Sequence, residues 1–232
     1  MSSPVEIERP DVLTPIGQET LRRLMRTWFK FERRLERVPI VRRLNTDTFT
    51  ADDYRALLLN LRQQVIEGSR WIARAASSFN RDFADVRSVV IGHAMEEHRD
   101  YEVLEQDYVA SGGSADAIRS RPRNPGSDAL HSFLMYRASL PNPVDMLGAM
   151  WIVEGLGNKM ATDWASRIQD LDDGLSTRFL AYHGDNDDAH MDKLYGVLDR
   201  VCSSEAAADR IVLTAEVVGR LYALQLQEID ND

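Results

Sequence analysis

One thiol, Cys202, is all the cysteine that 232 residues contain. It excludes an internal disulfide and any metal site built on several thiolates, and it fits a reducing compartment. No apolar run approaches the ~20 residues that a spanning helix needs, so no membrane span is expected. The opening MSSPVEIERPDVL lacks both a basic n-region and an apolar h-region, so no secretory signal is expected and a cytoplasmic location is the default. Basic charge is scarce: 28 Lys and Arg face 37 Asp and Glu, and the net charge of −9 disfavours a nucleic-acid surface. No stretch alternates apolar and polar residues as a half-buried strand does. What is present is a chain of 44% hydrophobic and 28% charged residues, the balance of a soluble globular protein.

The apolar residues recur at helical spacing. Thr14, Pro15 and Gln18 read as a helix start, with proline at the first helical position. A first helix over about 15–38 carries Leu21, Leu24, Trp28, Phe31 and Leu35 on one side. Thr50 opens a second over about 51–78, and a third over about 83–111 stops at Ser111-Gly112-Gly113. The prolines of 119–126 mark a loop, followed by helices over about 127–140, 143–170, 174–201 and 204–229. Residues 1–13 read as a tail. Residues 14–232 read as one all-α, seven-helix bundle domain.

Three of these helices carry acids on their apolar stripe. The third runs Val90, Ala94, Glu97, Tyr101, Leu104, Tyr108. The fifth places Glu154 among Leu147, Met150, Gly157 and Ala161. The sixth runs Phe179, His183, Asp187, His190, Leu194, with three successive stripe positions taken by His, Asp and His at i, i+4 and i+7. A lone histidine on such a stripe is more often a hydrogen-bonded core residue, and a lone Glu97 in an EEHRD run is more often solvated. Three acid-bearing stripes in one bundle are different, because unpaired buried carboxylates cost several kcal/mol each and repel one another. The stripes hold neither lysine nor arginine. A pair of divalent metals answers that charge, and imidazole with carboxylate suits iron, manganese or zinc.

HisGlyAspAsnAspAspAlaHis (183–190) resembles the H-x-x-x-D-x-x-H signature of the haem-oxygenase-like di-iron oxidases and oxygenases, relatives of pyrroloquinoline-quinone synthase and thiaminase II. Glu154-Gly155 in MWIVEGLG resembles that family's buried aromatic-x-x-Glu-Gly helix, and 96–113 resembles its E-E-x-G-H-D run. The resemblance covers roughly residues 50–200. It implies a haem-oxygenase-like bundle, a homodimer, and two iron ions (manganese being possible) held by Glu97, Asp100, Glu154, His183, Asp187 and His190. It also implies use of O2 to oxidise a small organic substrate such as an amino-acid or fatty-acid derivative. Tyr101 and Tyr182, close to ligands, are the candidate catalytic side chains, although simple packing is the blander reading of both.

The first motif departs from the family pattern, because alignment to Gly112-Gly113 puts Asp100 where the family has histidine. On an unbroken helix, His98 and Asp100 lie about 80° to either side of the stripe and His93 about 60° off it. Any of the three could complete the site; Asp100 is favoured on alignment. Glu67 in the second helix is a further candidate acid, read first as a solvated or hydrogen-bonded residue. His131, in the short fourth helix with no acid partner expected, reads as a surface or satisfied core residue. The rival functions are a metal-free helical binding or scaffold protein and a thiaminase-II-like or pyrroloquinoline-quinone-synthase-like enzyme. Cys202 in its VCSS context reads as a small core residue rather than a nucleophile. The run Gly184-Asp185-Asn186-Asp187-Asp188 forms helix poorly, so the sixth helix is expected to order only when metal binds.

Overall fold

The computed structural model describes residues 12–231, except for the side chains of 185–189. Residues 1–11 of the expected tail lie outside the described residues. Among the described residues eleven α-helices run in the order α1 (Pro15–Leu35), α2 (Pro39–Asn45), α3 (Ala51–Ser78), α4 (Ala84–Glu97), α5 (Asp100–Ala110), α6 (Ala115–Ser120), α7 (Pro125–Ala138), α8 (Met146–Leu156), α9 (Thr162–Leu171), α10 (Arg178–Val201) and α11 (Glu205–Gln227). No strand occurs among the described residues.

The expected helix starts follow from their caps. The Thr14 hydroxyl accepts from the Gly17 N–H, with Pro15 in the first turn. Thr50 and Asp53 form a reciprocal capping box at the head of α3. Gly112, at φ 92°, closes α5 in the left-handed region that favours glycine. Short α2 and α6 were not expected, since six or seven residues carry too little periodicity to read.

Two of the expected long helices are interrupted, and both interruptions bear on the site. The third divides into α4 and α5 at His98-Arg99, where Arg99 leaves helical geometry at φ −125°, ψ 6°. The fifth is α8 and α9 joined by one π-helical turn, Gly157–Ala161, with helical dihedrals at both junctions. Such a turn holds one more residue per turn than the α-helix and recurs at functional sites.

α8 lies at the centre. It is apolar on every side, so every residue from Met146 to Leu156 is buried except half-buried Val153. α11 packs so closely on it that a Cβ at Gly148 would stand 2.1 Å from the Ile211 carbonyl oxygen. Phe31 of α1 meets Tyr222 of α11 edge-on at 6.1 Å. α10 crosses the π-turn, where a Cβ at Gly184 would fall 2.1 Å from the Thr162 hydroxyl. The residue that weakens α10 as an isolated helix therefore permits its contact with the π-turn. α10 runs helical through 184–188.

Candidate metal centre

α8 delivers Glu154 to the middle of the protein, where it is 3% exposed. A bare carboxylate there would be untenable. Glu154 is held by two histidines instead: Oε1 lies 3.1 Å from His93 Nε2 and Oε2 lies 2.9 Å from His190 Nδ1. The two imidazoles meet at right angles, with centroids 4.6 Å apart. Burial opposes the charge on Glu154, but the two histidines outweigh it and hold the carboxyl well below its usual range. Burial pulls His93 down while Glu154 pulls it up, and the net direction is up.

Glu97, the last residue of α4, comes from the opposite side. Its carboxylate oxygen Oε1 lies 3.5 Å from His190 Nδ1 and is buried with no hydrogen-bond partner. Burial first, and the charge of Glu154 second, push its carboxyl up to about 7. Beyond the break, Asp100 opens α5 and faces α10, with Oδ2 3.6 Å from His183 Nε2.

These side chains form two groups that share one member. His93, Glu97, Glu154 and His190 can each offer a ligand atom within 4.8 Å of one another, and so can Glu97, Asp100 and His183. Glu97 belongs to both, as an acid bridging two cations would. The donors are imidazole nitrogens and carboxylate oxygens, the set that iron and manganese accept. The residues present therefore fit a dinuclear centre, and the buried, unpartnered Glu97 oxygen is what such an ion would satisfy. Glu96 lies on the outer side: its Oε2 is 3.3 Å from His190 Nε2 and 4.0 Å from His93 Nδ1, and Lys193 Nζ holds it at 2.6 Å. A carboxylate behind a ligating imidazole fixes ring orientation and tautomer.

Of the expected ligands, Glu97, Asp100, Glu154, His183 and His190 are brought together; the side chain of Asp187 lies outside the described residues. His93 joins them, so the choice posed between His93 and Asp100 does not arise: each takes a place in a different group. The break at Arg99 is the reason, since it resets the helical phase between them. His98 is exposed, with Nδ1 2.8 Å from the Met95 carbonyl oxygen, and takes no part. Tyr182 is also exposed and stacks its edge on His183 at 5.6 Å. Tyr101 is half-buried, and among the described residues no hydrogen bond or ring contact ties it to the cluster. Glu67 is buried and belongs to neither group; it is bound by Arg70 at 2.8 Å and Arg123 at 2.8 Å. His131, expected to lack an acid, stands 3.9 Å from that same carboxylate. Cys202 is buried at the end of α10, and burial pushes its thiol up, away from the thiolate a nucleophile needs.

The folding pattern is shared with solved structures over nearly the whole chain. A domain from Shewanella denitrificans described as having a heme oxygenase-like fold superposes with a TM-score of 0.82 at 18% identity, covering 92% of this chain and 91% of that one. The chain has a haem-oxygenase-like fold. A TenA homologue from Pseudomonas syringae pv. tomato superposes at 0.75 with 12% identity over 99% and 100% of the two chains. A TenA homologue from P. horikoshii gives 0.63 with 15% identity over 94% and 98%. No family model matches the sequence, and no curated protein is similar to it in sequence. At these identities the likeness to solved haem-oxygenase-like structures speaks for the fold, and function has to be argued from the site. No helix among the described residues is long and apolar enough to cross a membrane.

Proposed function

We propose that this protein is a non-haem, dinuclear metal oxidoreductase, using iron or manganese and O2 to oxidise a small organic substrate. The observation that carries the reading is the shared, half-buried Glu97, one of whose carboxylate oxygens is buried without a hydrogen-bond partner, between two histidine–carboxylate groups. In one place His93, Glu97, Glu154 and His190 would hold a cation; in the other Glu97, Asp100 and His183, with Asp187 as the remaining candidate. Ferrous ions bound there would supply the electrons that reduce O2.

The protein's own part is to prepare the place. Glu154 keeps both imidazoles facing inward through its two hydrogen bonds. Glu96, anchored by Lys193, lies 3.3 Å from the outer nitrogen of His190 and helps to fix that ring; the inner nitrogens donate to Glu154 and would give up those protons to take a cation. Glu97, its carboxyl pushed up to about 7, is partly protonated at neutral pH and must lose that proton when a cation arrives. Apolar side chains of α3, α9 and α10, among them Leu61, Trp71, Trp164 and Leu180, line the inner side.

A metal-free, TenA-like enzyme is the second reading, favoured by the likeness of fold. The buried, proton-retaining Cys202 speaks against a thiaminase-II-like nucleophile. Anaerobic titration with ferrous iron or manganese separates the two. We expect up to two ions per chain, with loss of binding in His93→Ala and Glu154→Ala and accelerated O2 consumption by the ferrous protein. Undiminished metal binding in both variants would sink the assignment.

A further inference from the structure

A groove of about 600 Å³ lies between the end of α1, the link to α2, and α11, and no residue of the metal centre lines it. Buried Phe31, Val38 and Gly219 form its base. A Cβ at Gly219 would stand 3.3 Å from the Phe31 side chain, so the glycine lets the two helices close up beneath the groove. The rim is basic. Exposed Lys30, Arg33 and Arg34 of α1, Arg37 of the link and Arg220 of α11 stand against one carboxylate, Glu216.

That rim opposes the charge of the chain, which is −9. Glu216 is already engaged, since Arg220 Nη2 holds its Oε1 at 2.5 Å. Among the described residues no ion pair or side-chain hydrogen bond meets Lys30, Arg33, Arg34 or Arg37, whereas Arg22 and Arg23, earlier on α1, are held by Glu19 and Asp209. Lys30 stands three and four residues before Arg33 and Arg34, the spacing at which like charges on a helix repel. Glu32 falls about 150° round α1 from the centre of that group and relieves none of it. The dipole of α1 favours cations in its last turn, which accounts for Arg33 and Arg34. It does not account for Lys30, or for Arg220 arriving from a second helix.

Four unmet cations around a concavity call for a compact anion of several charges. Guanidinium matches phosphate oxygens bidentately, and the volume is that of a small-molecule site. A single carboxylate supplies too little charge. A duplex or a bilayer would lay its charge over the acidic surface beyond the groove as well.

We propose that this groove is a binding site for a small, highly charged organic phosphate, a diphosphate or bisphosphate, received by Lys30, Arg33, Arg34 and Arg37 and completed by Arg220. Phe31 and Val38 offer apolar surface to the organic part. The site is separate from the metal centre, and its occupancy does not depend on a metal.

Calorimetry of the full, metal-free chain tests it, with inorganic pyrophosphate and adenosine diphosphate as probes. Each should bind once per chain, with Kd below ~1 mM at ~50 mM salt and several-fold weaker at ~200 mM. The organic probe should bind at least as tightly, and acetate should not bind. Arg34→Gln with Arg37→Gln should weaken both probes at least ~10-fold through lost charge-assisted hydrogen bonds. Arg22→Gln with Arg42→Gln removes the same charge outside the groove and should change binding less than ~2-fold. Thermal melts report folding: the groove pair should be no less stable than wild type and gain less from pyrophosphate. Should that pair not fold, Lys30→Gln is measured instead. Absence of binding by either probe, or equal weakening by the two pairs of substitutions, overturns the proposal. So does a chain that ignores both probes yet sediments with phosphatidylserine vesicles through Arg34 and Arg37, which would make the groove a bilayer contact.

Discussion

Replacing Glu97 by glutamine should make the metal-free protein more stable, and only at the higher pH values. The carboxyl moves from its ordinary 4.5 in the unfolded chain to about 7 in the folded one. That difference amounts to ~3 kcal/mol of folding free energy withheld wherever both states would otherwise be ionised. The sign follows from proton counts. Between pH 4.5 and 7 the folded state holds more protons than the unfolded, so stability falls as pH rises through that window and levels off above it. At pH 5 the loss is under ~1 kcal/mol, and at pH 8 nearly all of it is present. Glu97→Gln removes the ionisation while keeping the shape. In the presence of chelator, the variant should gain ~2–3 kcal/mol at pH 8 and little at pH 5, which corresponds to ~5–10 °C in Tm for a chain of this size. Urea and thermal unfolding at both pH values measure it. Added manganese should stabilise the wild type and not the variant, since the shared ligand is gone. A variant equally or less stable at pH 8, or a gain independent of pH, would refute the account of Glu97 as an acid strained by burial and by Glu154.

Three further outcomes follow from the same geometry. Proton release on metal binding, read by calorimetry in buffers of different ionisation enthalpy, should include ~0.9 proton from Glu97 at pH 6 and ~0.1 at pH 8; a count that does not fall with pH contradicts the raised carboxyl. Gly184→Ala should destabilise by ~1–3 kcal/mol, because its Cβ would strike Thr162 and push α10 off the π-turn; an unchanged unfolding midpoint would show that the contact yields freely. Amide exchange across 181–192, which carries His183 and His190 on intrinsically weak helix, should slow sharply when ferrous iron or manganese is added; equal protection with and without metal would mean that packing alone holds the segment.

Much of the site was legible because helical periodicity is. Glu97, Glu154, His183 and His190 stand out as polar residues on apolar stripes, and the structure brings those four to one place. What the stripes could not show is where a helix breaks. An unbroken 83–111 helix sets His93 and Asp100 beside each other and off the stripe, a fair inference from 3.6 residues per turn. Arg99 leaves that geometry without a glycine or proline to announce it, and the two residues separate into different groups. The π-turn at Gly157–Ala161 is equally silent in sequence, since its dihedrals remain helical. Short α2 and α6 fall below what periodicity resolves. The weakness of Gly184 was visible while its packing partner was not, because Thr162 is distant in sequence and meets it only in the fold. That the indole nitrogens of Trp71 and Trp164 are buried without an acceptor is visible only in the fold.

The π-turn also makes α8 and α9 a single rod with one residue too many, which is how an insertion would look after being absorbed rather than looped out. Glu154 precedes that extra residue and Trp164 follows it. Deleting one residue between 157 and 161 would let the rod relax to regular α-helix while the segments on either side keep their facing, because the π-turn spends its extra residue within a single turn. Glu154 would stay between its histidines and Trp164 would keep its place. What would change is the surface that α10 crosses, since the widened turn lies under that helix. The bulge thus confines a one-residue change of length to the crossing and hides it from both ends of the rod.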